Sequence, residues 1–341
     1  MKSLLATRPE ILLLAIAACI PALNALLPFE LVALESTRPI LIFALMGLGL
    51  NIVTGSTGLL HLGVAAFMAI GAYSYAVLSC DIYPFQFGFW SALLLTWLIG
   101  MVAGALLGVP TLRLRGDYLA IVTLGFGEIV QDLLRNLDVI TKGTQGINPL
   151  PAPTFLGFEI SSSNSVGWYY LLLGILTVVV ILNRNLLHSR IGRGWLAVRE
   201  DELAAACMGL RVVRIKLQAF AVSAGICALA GALWASQLGS TGEPGNYDFQ
   251  LSIIVLCIVI VGGVGSIAGV LLGAVVMIGL NSTVLTKLSE ALVQYGFVST
   301  GVVWASPNNW KYILFGLALL VMMRVRPEGL LPAKHQEGER S

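Results

Sequence analysis

The sequence predicts an all-α polytopic membrane protein of about ten transmembrane helices, with a weak internal repeat and one cytoplasmic coupling helix. Composition, the length of the apolar runs and the placement of basic residues all point to it. Of 341 residues, 57% are hydrophobic and 11% charged, whereas a soluble domain carries about 25% charged residues. Apolar blocks of roughly 17 to 25 residues suit helices that cross a hydrocarbon core rather than barrel strands. The chain is read as one transmembrane domain spanning residues 1–341.

The first element follows Lys2 and Arg8, which lead into the apolar run Ile11 to Leu27. A signal peptide starts the same way, but no small-x-small cleavage site follows, so a first span is expected. Reading apolar runs between polar or Gly/Pro breaks places spans at 11–28, 39–54, 58–79, 88–109, 118–136, 168–183, 217–238, 249–262, 266–283 and 310–323. With the N-terminus inside, ten crossings put 1–10, 110–117, 184–216 and 324–341 in the cytoplasm. Those segments hold Lys2, Arg8, Arg113, Arg115, Arg184, Arg190, Arg193, Arg199, Arg211, Arg214, Lys216, Arg324, Arg326, Lys334 and Arg340, 15 of the 20 basic residues. Only Arg38, Arg135, Lys142, Lys287 and Lys311 fall outside. The positive-inside rule therefore predicts an even span count with both termini cytoplasmic.

Two outer segments are long, 137–167 and 284–309, and either could cap the outer mouth, meet an extracytoplasmic partner or simply lie at the interface. Gly55-Ser56-Thr57-Gly58 and Gly262-Gly263-Val264-Gly265-Ser266 separate neighbouring spans with almost no loop, and glycine-rich helices follow each. Paired interruptions of this kind point to broken helices at a transport site, and equally to small residues that let helices pack closely.

In the fifth span Glu128, Gln131, Asp132 and Arg135 share one helix face. Glu128 lies about 15 Å from the start of that helix at ~1.5 Å per residue, near mid-membrane. An ionisable group at that depth is a functional candidate, with an interhelical hydrogen bond or an ion pair to Arg135 as the structural alternative. Asn51, Thr54, Ser56, Thr57 and His61 cluster at the first glycine break, where a helix N-terminus would attract a carboxylate. His61 alone reads as an interhelical hydrogen-bonding residue.

The formal charge of +2 gives no reason to expect nucleic acid, and the five cysteines show no metal-ligand spacing. No phosphate-binding G-x-x-x-x-G-K-[ST], no H-E-x-x-H and no nucleophile elbow occurs. No cofactor is expected on this chain, and an ATP-driven role requires a partner. Within 184–216, Val198-Arg199-Glu200-Asp201-Glu202-Leu203-Ala204-Ala205-Ala206-Cys207-Met208-Gly209 reads as part of one amphipathic helix, Leu196 to Leu210. Acids begin it, Leu203, Ala206, Cys207 and Leu210 line a face, and Gly209 stops it. Such a helix suits docking into a groove on a cytoplasmic partner.

Six stretches resemble the branched-chain amino-acid ABC importer permeases of the LivM type. They are Leu50–Gly55 through Gly71–Tyr73, Leu112–Ala120 through Gly127–Ile129, Gly192-Arg193 to Gly209, Ala219-Phe220 to Gly231–Leu233, Gly262–Ser266 and Arg326–Leu330, in one order over nearly the whole chain. The resemblance implies a bacterial inner-membrane permease that pairs with a second, homologous permease subunit and lies in lipid. It also implies two cytoplasmic ATPase subunits, which would hold ATP and Mg, and a periplasmic binding protein that delivers the amino acid. The family's coupling pattern, E-A-A-x-x-x-G, is matched here by Ala204, Ala205 and Gly209, with Leu203 in the acid's place and Glu202 displaced by one. Coupling is therefore expected of Arg199, Glu200, Glu202, Leu203, Ala204, Ala205 and Gly209. The substrate pathway is expected to involve Glu128, Asn51, Thr54, Ser56, Thr57 and His61. A urea or short-amide permease, and a proton-coupled carrier using Glu128 and His61, are the competing readings.

Overall fold

A computed structural model describes residues 9–26, 34–111, 117–155, 158–161, 164–285 and 310–332. Each of the ten expected spans contains a helix. In order these are α1 (Pro9–Leu26), α2 (Leu34–Asn51), α3 (Val64–Ser79), α4 (Phe89–Thr111) and α5 (Asp117–Asn136). After a short α6 (Asp138–Thr141) and a minimal hairpin, Thr154–Phe155 antiparallel to Phe158–Glu159, comes α7 (Ser165–His188). Next are α8 (Arg190–Glu200), α9 (Glu202–Cys207), α10 (Val212–Leu238), α11 (Phe249–Gly262), α12 (Ile267–Gly279) and α13 (Lys311–Val325). Among the described residues, five stretches are long and apolar enough to cross a bilayer by length and composition: Leu34–Ser56, Phe89–Thr111, Ser165–His188, Val212–Leu238 and Pro244–Gly262.

The central member is α10, buried along most of its length against α3, α4 and α2. Small residues explain how closely it is approached. Gly100, Gly104 and Gly108 stand four residues apart on one face of α4, and they meet Ala228, Ala224 and Leu217 of α10 in reverse order, as antiparallel helices require. On the other side a Cβ on Gly71 would fall inside the Ala228 backbone, and one on Gly231 inside the Met68 backbone. In lipid, where association has little hydrophobic drive, backbone approach through small residues supplies the packing energy. The same holds for α11 and α12, where Gly269 meets the carbonyl of Gly262 and Gly273 that of Ile258. Of the two readings of these glycine-rich helices, close packing is what Gly71, Gly269 and Gly273 do.

The two ends of the bundle sort as the alternating topology demands. At one end lie Arg184, which approaches Glu10 to 3.9 Å, and α8, α9, the two glycine breaks and the Arg326–Leu331 turn. At the other, Cys80 Sγ donates to Pro149 O at 3.3 Å, the Leu150 N–H to Gly239 O at 2.8 Å, and Arg38 to Ser165 at 2.7 Å. The 137–150 part of the first long segment expected outside is thus knitted onto the 239–248 loop, with Tyr73 and Tyr247 beneath it. The expected basic loop at Arg113 and Arg115, most of the 284–309 segment, and the stretches 1–8 and 333–341 lie outside the described residues.

Several helix ends lie a few residues from those expected, and two differences bear on the site. The third span begins at Val64 rather than at residue 58, because 58–63 runs without regular structure after a left-handed turn at Gly58 (φ +70°). The single helix expected over Leu196–Leu210 is two helices broken at Asp201, whose backbone is extended (φ −153°, ψ 112°).

Candidate functional site

At the basic end, α8 is built as a rigid base. Ser189 caps it, accepting from the N–H groups of Ile191 and Gly192. Trp195 is fully buried and donates its indole N–H to Ile215 O at 3.1 Å, which fastens α8 to the start of α10. Asp201 then ends α8 and starts α9 at once: its carboxylate accepts from Leu203 N at 2.8 Å and Ala204 N at 3.0 Å. A cap of this kind stabilises a helix by about 1 kcal/mol. It is also why a helical pattern read straight through this acid fails.

At the other end of α9, the Gly209 N–H reaches Ala206 O and the Leu210 N–H reaches Ala205 O, with Gly209 at φ +82°. That closing motif needs the left-handed residue, so Gly209 is the stop the sequence implies. Glu202 turns back into the protein, accepting from Lys216 Nζ at 2.8 Å, with the Lys216 side chain only 4% exposed. A buried ammonium requires such a partner, and Lys216 escaped the sequence reading because its burial is tertiary.

What α9 leaves uncovered is apolar. Ala205 is buried, while Leu203 is 75% and Met208 84% exposed, flanked by exposed Ala204, Ala206 and Cys207. Of the expected face, Leu203, Ala206 and Cys207 stand exposed, while Leu210 is only 36% exposed. Glu200 is exposed, whereas Arg199 turns inward and donates to Gly55 O at 2.6 Å.

That bond joins two groups of residues expected to act separately, and it corrects the reading of the first glycine break. Residues Ile52–Ser56 continue α2 as a π-helical turn. The break is therefore a helix C-terminus, whose carbonyl groups favour a cation and disfavour a carboxylate. Thr54 and Thr57 bond back to Leu50 O (3.0 Å) and Val53 O (2.7 Å), and Ser56 is buried. Asn51, also buried, accepts from Gly265 N at 2.8 Å, so it ties the first break to the second. The second break in turn accepts from Leu330 and Leu331 through Val261 O and Gly262 O.

The expected helix N-terminus lies further on, at Val64, and its surroundings are satisfied by other helices. Leu62 N donates to Thr123 Oγ1 and Ala65 N to Ser252 Oγ, both at 3.0 Å. His61 makes no interhelical hydrogen bond: it is buried between Phe67 and Phe220, with no partner for either ring nitrogen among the described residues.

The structure does not bring Glu128 to the Thr54–Gly58 break. It lies instead beside Leu62, Ala65, Tyr247, Asp248 and Ser252, in a cleft of about 10 Å³. That volume admits about one water and no amino acid. The expected polar face of α5 also divides. Gln131 is buried and donates to Pro244 O at 3.2 Å, and Arg135 pairs with Asp132 at 3.8 Å rather than with Glu128. Tyr118, Ile121, Glu128 and Asp132 are exposed along one stripe at helical spacing with half-buried Gly125 among them, and nothing described approaches within 4 Å of a Cβ built on Gly125 or Gly127.

Comparison with known proteins gives one consistent set of relatives. Residues 32–323 match the family described as the permease component of the branched-chain amino acid transport system. The high-affinity branched-chain amino acid transport system permease protein LivM of Salmonella typhimurium (strain LT2) is 41% identical over 314 residues, covering 86% of this chain and 68% of that protein. The protein of the same name in Escherichia coli (strain K12) is 40% identical over the same shares. The autoinducer 2 import system permease protein LsrC of Salmonella paratyphi B is 28% identical over 235 residues, 67% of this chain and 60% of that one. No solved structure matches.

Proposed function

The chain belongs to the family of permease components of branched-chain amino acid transport systems, and from that premise we propose that it is the membrane-spanning subunit of an ATP-driven importer of branched-chain amino acids. The observation that carries the energy source is the apolar tip of α9, Leu203 and Met208, held clear of its own chain on a rigid α8. A chain without a phosphate-binding loop must take its drive from outside, and an exposed, capped helix at the basic end is a surface on which to receive it.

In this reading the basic end faces the cytoplasm of a bacterial inner membrane, and two ATPase subunits hold ATP and Mg against this subunit and its partner permease. The partner covers the Tyr118–Gly125–Asp132 stripe of α5, which the bare glycines leave open to a backbone. Closure of the ATPases moves α8 and α9 and opens the bundle outward to a binding protein docked at the opposite end. The transient cavity forms between the two permeases, since the cleft beside Glu128 is far too small by itself. Glu128, at mid-membrane depth, faces the ammonium of a zwitterionic substrate. Nothing in this scheme involves nucleic acid.

Purification of the tagged chain from native membranes is expected to bring down a homologous permease and a subunit bearing a phosphate-binding loop; isolation of the chain alone, with transport activity intact, overturns the reading. For the pathway, Glu128→Gln in the complete complex is expected to lower uptake at least tenfold, since about 1.4 kcal/mol of lost charge attraction is enough, with complex assembly unaltered. Unchanged uptake removes Glu128 from the pathway.

A further inference from the structure

Arg199 belongs to the stretch expected to couple to the ATPase, yet its side chain points into its own chain. It leaves the last turn of α8 and ends on Gly55 O at 2.6 Å, while its stem lies against Gly58, where a built Cβ would stand 3.2 Å from Arg199 Cγ. Gly55 lies in the last turn of the α2 helix, where carbonyl groups lack intrahelical partners, and a guanidinium there is favoured by both the hydrogen bond and the helix dipole. The far side of Gly55 is pressed against Gly265, and Asn51 clasps the Gly265 N–H one turn earlier. A continuous path therefore runs from α9 through α8 and Arg199 to the first break, and from there to the second.

Building on the ATP-driven reading, we propose that Arg199 is the positioning residue that transmits movement of the coupling helices to the two glycine breaks, acting as a latch on the cytoplasmic end of α2. It contacts neither nucleotide nor substrate. Its hydrogen bond makes the C-terminal end of α2 follow α8 as the ATPases close.

The experiment uses the full complex with binding protein in proteoliposomes and reads substrate imported per ATP hydrolysed. Arg199→Met keeps the aliphatic stem against Gly58 but removes the donor; Arg199→Lys keeps a charged donor. Import per ATP is expected to fall at least tenfold in R199M, with ATP hydrolysis retained, and to be restored to within threefold of wild type in R199K. A role limited to packing would leave R199M near wild type and R199K no better. Should Arg199→Ala fail to assemble, the Lys and Met pair still decides. Equal coupling in R199M and wild type overturns the latch alone, whereas wild-type uptake that needs no ATP overturns the reading on which the latch rests.

Discussion

Replacing Leu203 and Met208 together by aspartate abolishes substrate-stimulated ATP hydrolysis by the assembled complex, while the chain remains in the membrane at its wild-type level. Both side chains are more than 70% exposed, at 75% and 84%, so little internal contact is lost. The helix that carries them is fixed by other residues, Asp201 at its start and Gly209 at its end. Apolar anchors buried at an interface are worth about 2 kcal/mol or more each. Losing two and burying carboxylates in their place weakens docking by a factor of roughly 10³. ATP hydrolysis assayed with and without substrate-loaded binding protein reads the effect, and immunoblotting of membranes reads the level. Stimulation that survives the double substitution removes α9 as the docking surface.

Gly71→Val prevents the bundle from forming. Its Cβ would enter the Ala228 backbone of α10, and the reciprocal contact of Gly231 with the Met68 backbone leaves neither helix room to retreat. Overpacking costs about 1–3 kcal/mol where flexible side chains can yield. Here the obstacle is main chain on both sides, so the loss lies at or above the top of that range. Folded yield by size-exclusion chromatography in detergent is expected to collapse for Gly71→Val. Gly174→Val on α7, where nothing lies within 4 Å of the built Cβ, serves as the contrast and keeps its yield. Equal yields would show that the α3 and α10 contact is not what holds the bundle.

The features legible in the sequence are those that a bilayer imposes directly. Every expected span contains a helix because an apolar run between polar breaks leaves the backbone few other solutions in lipid. The placement of basic residues groups segments at one end for the same kind of reason. Gly209 was readable because its left-handed turn admits few other residues. The features that were not legible depend on partners distant in sequence. Asp201 looks like one more acid at a helix start until its carboxylate is seen capping α9, which divides the expected helix in two. Thr54, Ser56 and Thr57 look like a polar lining until the π-helical turn makes the break a helix C-terminus that Arg199 fills from 144 positions away. The polar face of α5 divides for a similar reason, since the 239–248 loop accepts a hydrogen bond from Gln131 while Glu128 only borders a small cleft beside Tyr247 and Asp248. No local pattern announces any of these pairings.

Whether ATP hydrolysed on other subunits drives this bundle is read by reconstituting the chain with its partner permease, ATPase subunits and binding protein, and measuring radiolabelled leucine, isoleucine and valine inside the vesicles. Accumulation against a gradient is expected only when ATP is hydrolysed on the cytoplasmic face and binding protein is present on the other. Accumulation by this chain alone, under a proton gradient without ATP, would contradict that dependence on ATP.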